Sequence, residues 1–200
     1  MTASGVVNDG NGGNNYSYTY VTAAGTITPL AITITAATDS KTYDGTTTST
    51  GVPGISSGSL AAGDTTDTFT QAFDSRDAGP RMLVASGIVN DGNAGNNYSY
   101  TFVPAAGTIT PLAITITATS DTKTYDGTTA SAAVPAITSG SLAGSDTPGF
   151  TQTFDSRDVG ARTLTASGVV NDGNGGNNYS YTFMTAAGTI NPRAITVTAA

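Results

Sequence analysis

Cysteine is absent from this chain of 200 residues, and so is histidine. Without cysteine there is no disulfide, no thiolate nucleophile and almost no route to a structural zinc site. Without either residue, neither a Ser-His-Asp nor a Cys-His nucleophile system can be assembled, and a transition metal would have to be held by aspartate alone. Glutamate is missing too: all 14 acidic residues are aspartate, against two lysines and five arginines, for a net charge of −7. Charged residues make up 10% of the chain, where a globular domain carries roughly 25%. Solubility must therefore rest on hydroxyl and amide groups and on the net negative charge. There is no basic cluster, which argues against nucleic acid and against an anionic membrane surface. No apolar run approaches the length of a membrane span, so no membrane insertion is expected. Met1-Thr-Ala-Ser-Gly5 does not open a signal peptide, which leaves any export signal on sequence beyond these residues.

In place of the ordinary helix formers stand Thr, Gly, Ser, Asn and Asp, so the chain reads as strand and turn. It is also repetitive. Lys41-Thr-Tyr-Asp-Gly-Thr-Thr47 returns 82 residues later as Lys123-Thr-Tyr-Asp-Gly-Thr-Thr129, and Asn8-Asp-Gly10 returns at Asn90 and again at Asn171. The second of those offsets is one residue shorter, which places a deletion near Asp67-Thr68. A period this long is too great for a solenoid coil and suits a small domain that closes its own core. The units are residues 1–30 (the closing part of a repeat), 31–112 and 113–193 (full repeats) and 194–200 (an opening strand). The junction Pro111-Leu112 is too short to be a flexible tether, so neighbouring units are expected end to end, as a rod.

Within a unit, Ile32 and Ile34 alternate with Thr33 and Thr35, the pattern of a half-buried strand. Asp44-Gly45 marks a turn. The Gly- and Pro-broken stretch from Gly51 to Asp64 reads as a loop with at most one helical turn. Strands are expected at Thr68 to Phe73, Arg81 to Ala85, Tyr98 to Phe102 and Gly107 to Thr110. Met82 and Val84 become Thr163 and Thr165 in the second copy while Leu83 and Ala85 keep their identity, which marks the solvent face of that strand. The expected core is Ile32, Ile34, Leu60, Phe69, Phe73, Leu83, Ile88, Tyr98, Tyr100, Phe102 and Ile109. The fold class is thus all-β: a tandem array of small modules, each a β-sandwich or β-grasp-like unit.

The ordered set Lys-Thr-Tyr-Asp-Gly-Thr-Thr, Gly-Ser-Leu-Ala, Asp-Ser-Arg-Asp, Gly-Asn-Asn-Tyr and Gly-Thr-Ile-Thr-Pro resembles the YDG-type repeat, and the similar MBG repeat, of large bacterial surface and secreted proteins of the filamentous-haemagglutinin and giant-adhesin kind. The resemblance covers essentially the whole chain. It implies a secreted or cell-surface location, a stalk role, no catalytic residue and no cofactor.

Several residues are candidates for chemistry. Asp74 and Asp77, repeated as Asp155 and Asp158, could form a glycosidase carboxylate pair, but an Asx-turn with an arginine bridge between strands is preferred. Asp9, Asp91 and Asp172 sit in Asn-Asp-Gly-Asn loops that resemble a calcium loop only superficially, lacking the regular alternation and the bidentate glutamate. Asn15, Asn97 and Asn178 each head an Asn-Tyr-Ser acceptor triplet for glycosylation. Lys41 with Asn96 or Asn97 could suggest an isopeptide crosslink, with Asp44 as the assisting carboxylate. No enzyme activity is expected. The expected partners are neighbouring repeats, an unidentified surface ligand bound weakly by many copies, and a second chain paired through residues 194–200 into a filament.

Overall fold

The computed structural model describes residues 1–66 and 68–199; Asp67, beside which the deletion was placed, and Ala200, the last residue of the expected strand 194–200, lie outside the described residues. No helix occurs among the described residues, and each complete repeat has seven strands. In the first repeat these are β1 (Leu30–Thr35), β2 (Asp39–Thr42), β3 (Gly54–Ser57), β4 (Thr70–Phe73), β5 (Gly79–Ser86), β6 (Tyr98–Val103) and β7 (Ala105–Thr110). The second repeats them as β8 (Leu112–Thr117), β9 (Asp121–Thr124), β10 (Ala136–Ser139), β11 (Thr147–Phe154), β12 (Gly160–Asn171), β13 (Tyr179–Met184) and β14 (Ala186–Asn191).

Two sheets build each repeat: a three-stranded one in the order β3-β1-β6 and a four-stranded one in the order β2-β7-β5-β4, matched by β10-β8-β13 and β9-β14-β12-β11. The chain opens in the first sheet with β1 and passes into the second with β2; it closes by the same passage, from β6 to β7. The two passages lie side by side. β1 is parallel to β6, with Leu30 opposite Tyr98, and β2 is parallel to β7, with Asp39 opposite Gly107, so one register continues through both sheets. The Ala36 N–H donates to the Val103 carbonyl at 2.9 Å where the chain changes sheets.

The core lies between the sheets. Ile32, Ile34, Phe69, Phe73, Leu83, Tyr98 and Ile109 are buried, with Leu60 and Tyr100 partly so. Met82 and Val84 face solvent, as the Met-to-Thr and Val-to-Thr changes implied. Two core expectations are corrected. Ile88 is 44% exposed and Val89 is fully buried, because the alternation of Leu83 and Ala85 continues through Gly87 to Val89. Phe102 is also exposed, stacked on Tyr100 with ring centroids 6.0 Å apart.

The stretch from Gly51 to Asp64, expected as a loop, contains β3, which adds antiparallel to β1. Gly58 and its counterpart Gly140 make this possible: each has a positive φ, and a Cβ on either would lie 2.7 Å from a β1 or β8 carbonyl oxygen. The lost residue has a visible consequence. In the second repeat β11 pairs without a break from Thr147 to Phe154, whereas in the first the ladder begins at Thr70 and Thr65 meets Asn90 in an isolated bridge.

Residues 1–29 and 194–199 carry no strand, contrary to expectation. Of the partners these strands have in the complete repeats, residues 1–29 keep only the counterpart of the end of β5: Met1 and Ala23 exchange backbone hydrogen bonds at 2.9 and 3.2 Å, as Leu83 and Ala105 pair in the first repeat. Ile195 and Val197 are accordingly 81% and 85% exposed.

The passage between sheets leaves backbone groups at Ala37 without a ladder partner, and Gln71 supplies one. Its Oε1 accepts the Ala37 N–H at 2.7 Å, and its Nε2 donates to the Ala37 carbonyl and to Ser49 Oγ, both at 2.9 Å. Gln152 does the same for Thr119 and Ser131. Gln71→Leu should destabilise the first repeat by about 2 kcal/mol, because two half-buried backbone groups of Ala37 lose their partner. Urea unfolding measures this, and a loss below about 1 kcal/mol would contradict the assignment.

Candidate functional site at the joint between repeats

Asp77 and Asp158, one member of each carboxylate pair, are tied into their own turns. Asp77 accepts a hydrogen bond from Ser75 Oγ at 3.1 Å, and its carbonyl takes the Arg81 Nε–H at 2.6 Å. Asp158, Ser156 and Arg162 repeat this arrangement. Arg76 departs from the expected bridge between strands of its own repeat. It reaches into the second repeat, where Nη2 donates to the Asp172 carbonyl at 2.8 Å and lies 3.7 Å from Asp146 Oδ1.

That crossing belongs to a larger set. The Asp146 carboxylate, with only 2% of its side chain accessible, accepts hydrogen bonds at Oδ2 from Tyr43 at 2.9 Å and Tyr179 at 2.8 Å. The two tyrosine rings meet edge to face, 5.5 Å between centroids. Burial, then the bond to Asp146, pushes the Tyr43 hydroxyl up to about 12. Asn178 is the second centre. Its Oδ1 accepts the Ala78 N–H at 2.8 Å and the Asn174 amide at 2.9 Å, and its Nδ2 donates to Asp77 Oδ1 at 3.2 Å. Asn178 is fully buried with both ends of its amide engaged, so this acceptor triplet is closed to a glycosyltransferase while the repeats are docked. Asn15 and Asn97 are exposed.

The three aspartates raised as calcium ligands organise their own loops. Asp91 accepts backbone N–H groups from Asn93, Gly95 and Asn97 at 2.8 to 3.0 Å, and Asp172 accepts those of Asn174, Gly176 and Asn178. Asp9 does likewise with Asn11, Gly13 and Asn15. Burial pushes the Asp91 and Asp172 carboxyls up, but the N–H donors outweigh it and both are held below the usual range. Among the described residues no group of three or more Asp, Glu, His or Cys is placed to hold a metal ion. Lys41 binds Asp44 Oδ1 and the Thr46 carbonyl, each at 2.8 Å, and lies over the Phe73 ring; its hydrogen bonds do not involve Asn96 or Asn97.

Sequence reading assigned none of the joint residues a role across repeats. Asp64 and Asp146 carried one usable signal, since each keeps its identity although the residues before it change from Ala-Gly to Gly-Ser.

Two outcomes follow. Ala94 has φ 54°, where Gly12 and Gly175 stand at 66° and 65° in the other loops. Ala94→Gly should stabilise the first repeat by about 0.5–1 kcal/mol, as relief of left-handed strain exceeds the added flexibility of the unfolded chain; chemical denaturation would show the opposite sign if the loop imposed no strain. The second concerns acid. The Ser49 and Ser131 hydroxyls lower Asp39 and Asp121 against the opposing effect of burial, and Lys123 lowers Asp126 to about 2. Since these folded values lie below the unfolded one, their stabilisation is complete above about pH 4 and is lost as pH falls toward about 2. The melting temperature should be flat between about pH 7 and 5 and drop below about pH 4; a flat profile down to about pH 2 would refute the linkage.

The YDG domain matches the chain twice, over residues 28–106 and residues 110–187. These limits begin three residues before the boundaries read from the repeat period in each copy and end before its last strand closes. No curated protein matches the chain. With two copies that each fold as a complete seven-stranded unit, the chain belongs to the YDG domain family.

Proposed function

We propose that these repeats are spacer modules in the stalk of a bacterial cell-surface or secreted adhesin, projecting a binding region and contributing length and stiffness without chemistry of their own. The observation that carries this reading is the placement of each repeat's ends. Leu30 enters beside Asn97, donating its N–H to that carbonyl at 2.9 Å, and Thr110 leaves beside Tyr43, accepting its N–H at 2.8 Å. Because the opening and closing strands are parallel, entry and exit lie at opposite ends of the unit, and Pro111 alone separates β7 from β8. Repeats joined in this way add length with each copy rather than folding back. The likeness of the motifs to repeats of large bacterial surface proteins supports the extracellular setting.

The strand path from Leu30 to Thr42 runs the length of the unit, and at about 3.3 Å per residue it spans about 40 Å. Small-angle scattering on chains of two, four and six repeats should show the maximum dimension growing by about 40 Å per added repeat. Growth as the square root of repeat number would mean flexible beads and would end the spacer reading.

A further inference from the structure

Every polar side chain at the joint has a counterpart in the other repeat that lies outside the joint. Tyr43, Arg76 and Asp77 correspond to Tyr125, Arg157 and Asp158 at the far end of the second repeat. Asp146, Asp172, Asn178 and Tyr179 correspond to Asp64, Asp91, Asn97 and Tyr98 at the near end of the first. The chain therefore displays each face both docked and open. Tyr43 is buried but Tyr125 only half-buried, and Asn178 is buried but Asn97 exposed. Where Asp146 and Asn178 fill the first repeat's face, the second repeat has an open groove of about 500 Å³ lined by Tyr125, Asp158, Val159, Pro192, Arg193 and Ile195.

Both faces have the same internal geometry whether docked or open. Tyr98 donates to Asp64 at 2.6 Å as Tyr179 does to Asp146 at 2.8 Å. The Ala61 N–H meets the Tyr98 hydroxyl at 2.8 Å, and that of Ala143 meets Tyr179 at 2.9 Å. Asn93 holds Asn97 at 3.0 Å as Asn174 holds Asn178 at 2.9 Å. On the opposite face, Arg81 and Arg162 both brace their loops at 2.6 Å. Neither surface has to reorganise in order to dock, which removes most of the ordering cost of association. The charges also match: the Arg76 guanidinium enters the face that carries Asp146 and Asp172.

We infer that the Tyr-Asp-Gly and Asp-Ser-Arg-Asp loops form one half, and the Asn-Asp-Gly loop with Asp146 and Tyr179 the other half, of a matched pair of docking surfaces by which this repeat recognises another copy of itself. That recognition, rather than the covalent link at Pro111, fixes the orientation of successive repeats. The short link keeps the two halves at high local concentration, so a modest interface suffices. The inference concerns the partner of each face and does not depend on an adhesin role.

The chain has no cysteine, so spin labels can be placed by Thr101→Cys and Thr182→Cys, both at exposed strand positions. Pulsed electron resonance then reads the distance between repeats. The otherwise unaltered chain should give one narrow distribution. Arg76→Ala with Asn178→Ala should broaden it at least twofold, whereas the same two residue types removed at the open faces, Arg157→Ala with Asn97→Ala, should leave it narrow. Tyr43→Phe, which keeps the ring and loses only the hydroxyl, should broaden it less, and Tyr125→Phe not at all. Thermal unfolding confirms that each variant folds; if the double joint variant does not, the two phenylalanine variants decide. A distribution equally narrow in the joint variants, or equally broad in the open-face variants, overturns the inference.

Discussion

In each repeat the strand pair that opens the chain lies parallel to the pair that closes it, and the rest of the structure follows from where this leaves the two ends. An antiparallel pairing of first and last strands would return the exit to the entry, and the next repeat would begin beside the previous one. The parallel pairing of β1 with β6 and β2 with β7 sends the exit to the far end. Parallel neighbours need a long connection, and here the intervening strands β3, β4 and β5 provide it, one completing the first sheet and two the second. The crossing point at Ala36 and Val103 lets two sheets share this single register.

A module this small, with few charges, cannot leave polar groups stranded. Among the described residues no buried side-chain nitrogen or oxygen lacks a hydrogen-bond partner. The means are local and repeated: Gln71 and Gln152 at the sheet crossing, Asp39 and Asp121 under their serines, and Asp91 and Asp172 inside their loops. Aspartate suits these tasks because its short side chain turns back onto nearby backbone N–H groups. This accounts for an acidic inventory made entirely of aspartate. Asp9, Asp44, Asp91, Asp126 and Asp172 act as fixed acceptors of backbone N–H groups within turns.

The joint is built from the same turns. The Asn-Asp-Gly loop closes on its own aspartate and so presents Asn178 outward in a set orientation; the Asp-Ser-Arg-Asp turn presents Arg76 and the Ala78 N–H in the same manner. Buried polar contacts of this kind contribute specificity as well as stability, since a misplaced neighbour would deprive Asp146 of the Tyr43 hydroxyl and the Arg76 guanidinium.

The strand faces, the turns, the all-β class and the tandem organisation were legible in the residues, because alternation and Asp-Gly or Asn-Asp-Gly chemistry act over a few neighbours. Ile32 and Ile34, Phe69 and Phe73, and Leu83 and Ala85 took their places by that rule alone. Ile88 was misplaced because the alternation of Leu83 and Ala85 runs on past the end of β5, through Gly87 to the buried Val89. What no local pattern carried was partner choice. That β1 lies parallel to β6, that a Gly-rich stretch becomes β3, and that Arg76 serves the next repeat rather than its own all depend on contacts far apart in the chain. Asn178 shows the limit most directly: its triplet is identical to those at Asn15 and Asn97, and only the arrival of Asp77 and Ala78 from the preceding repeat separates a buried structural amide from an exposed one.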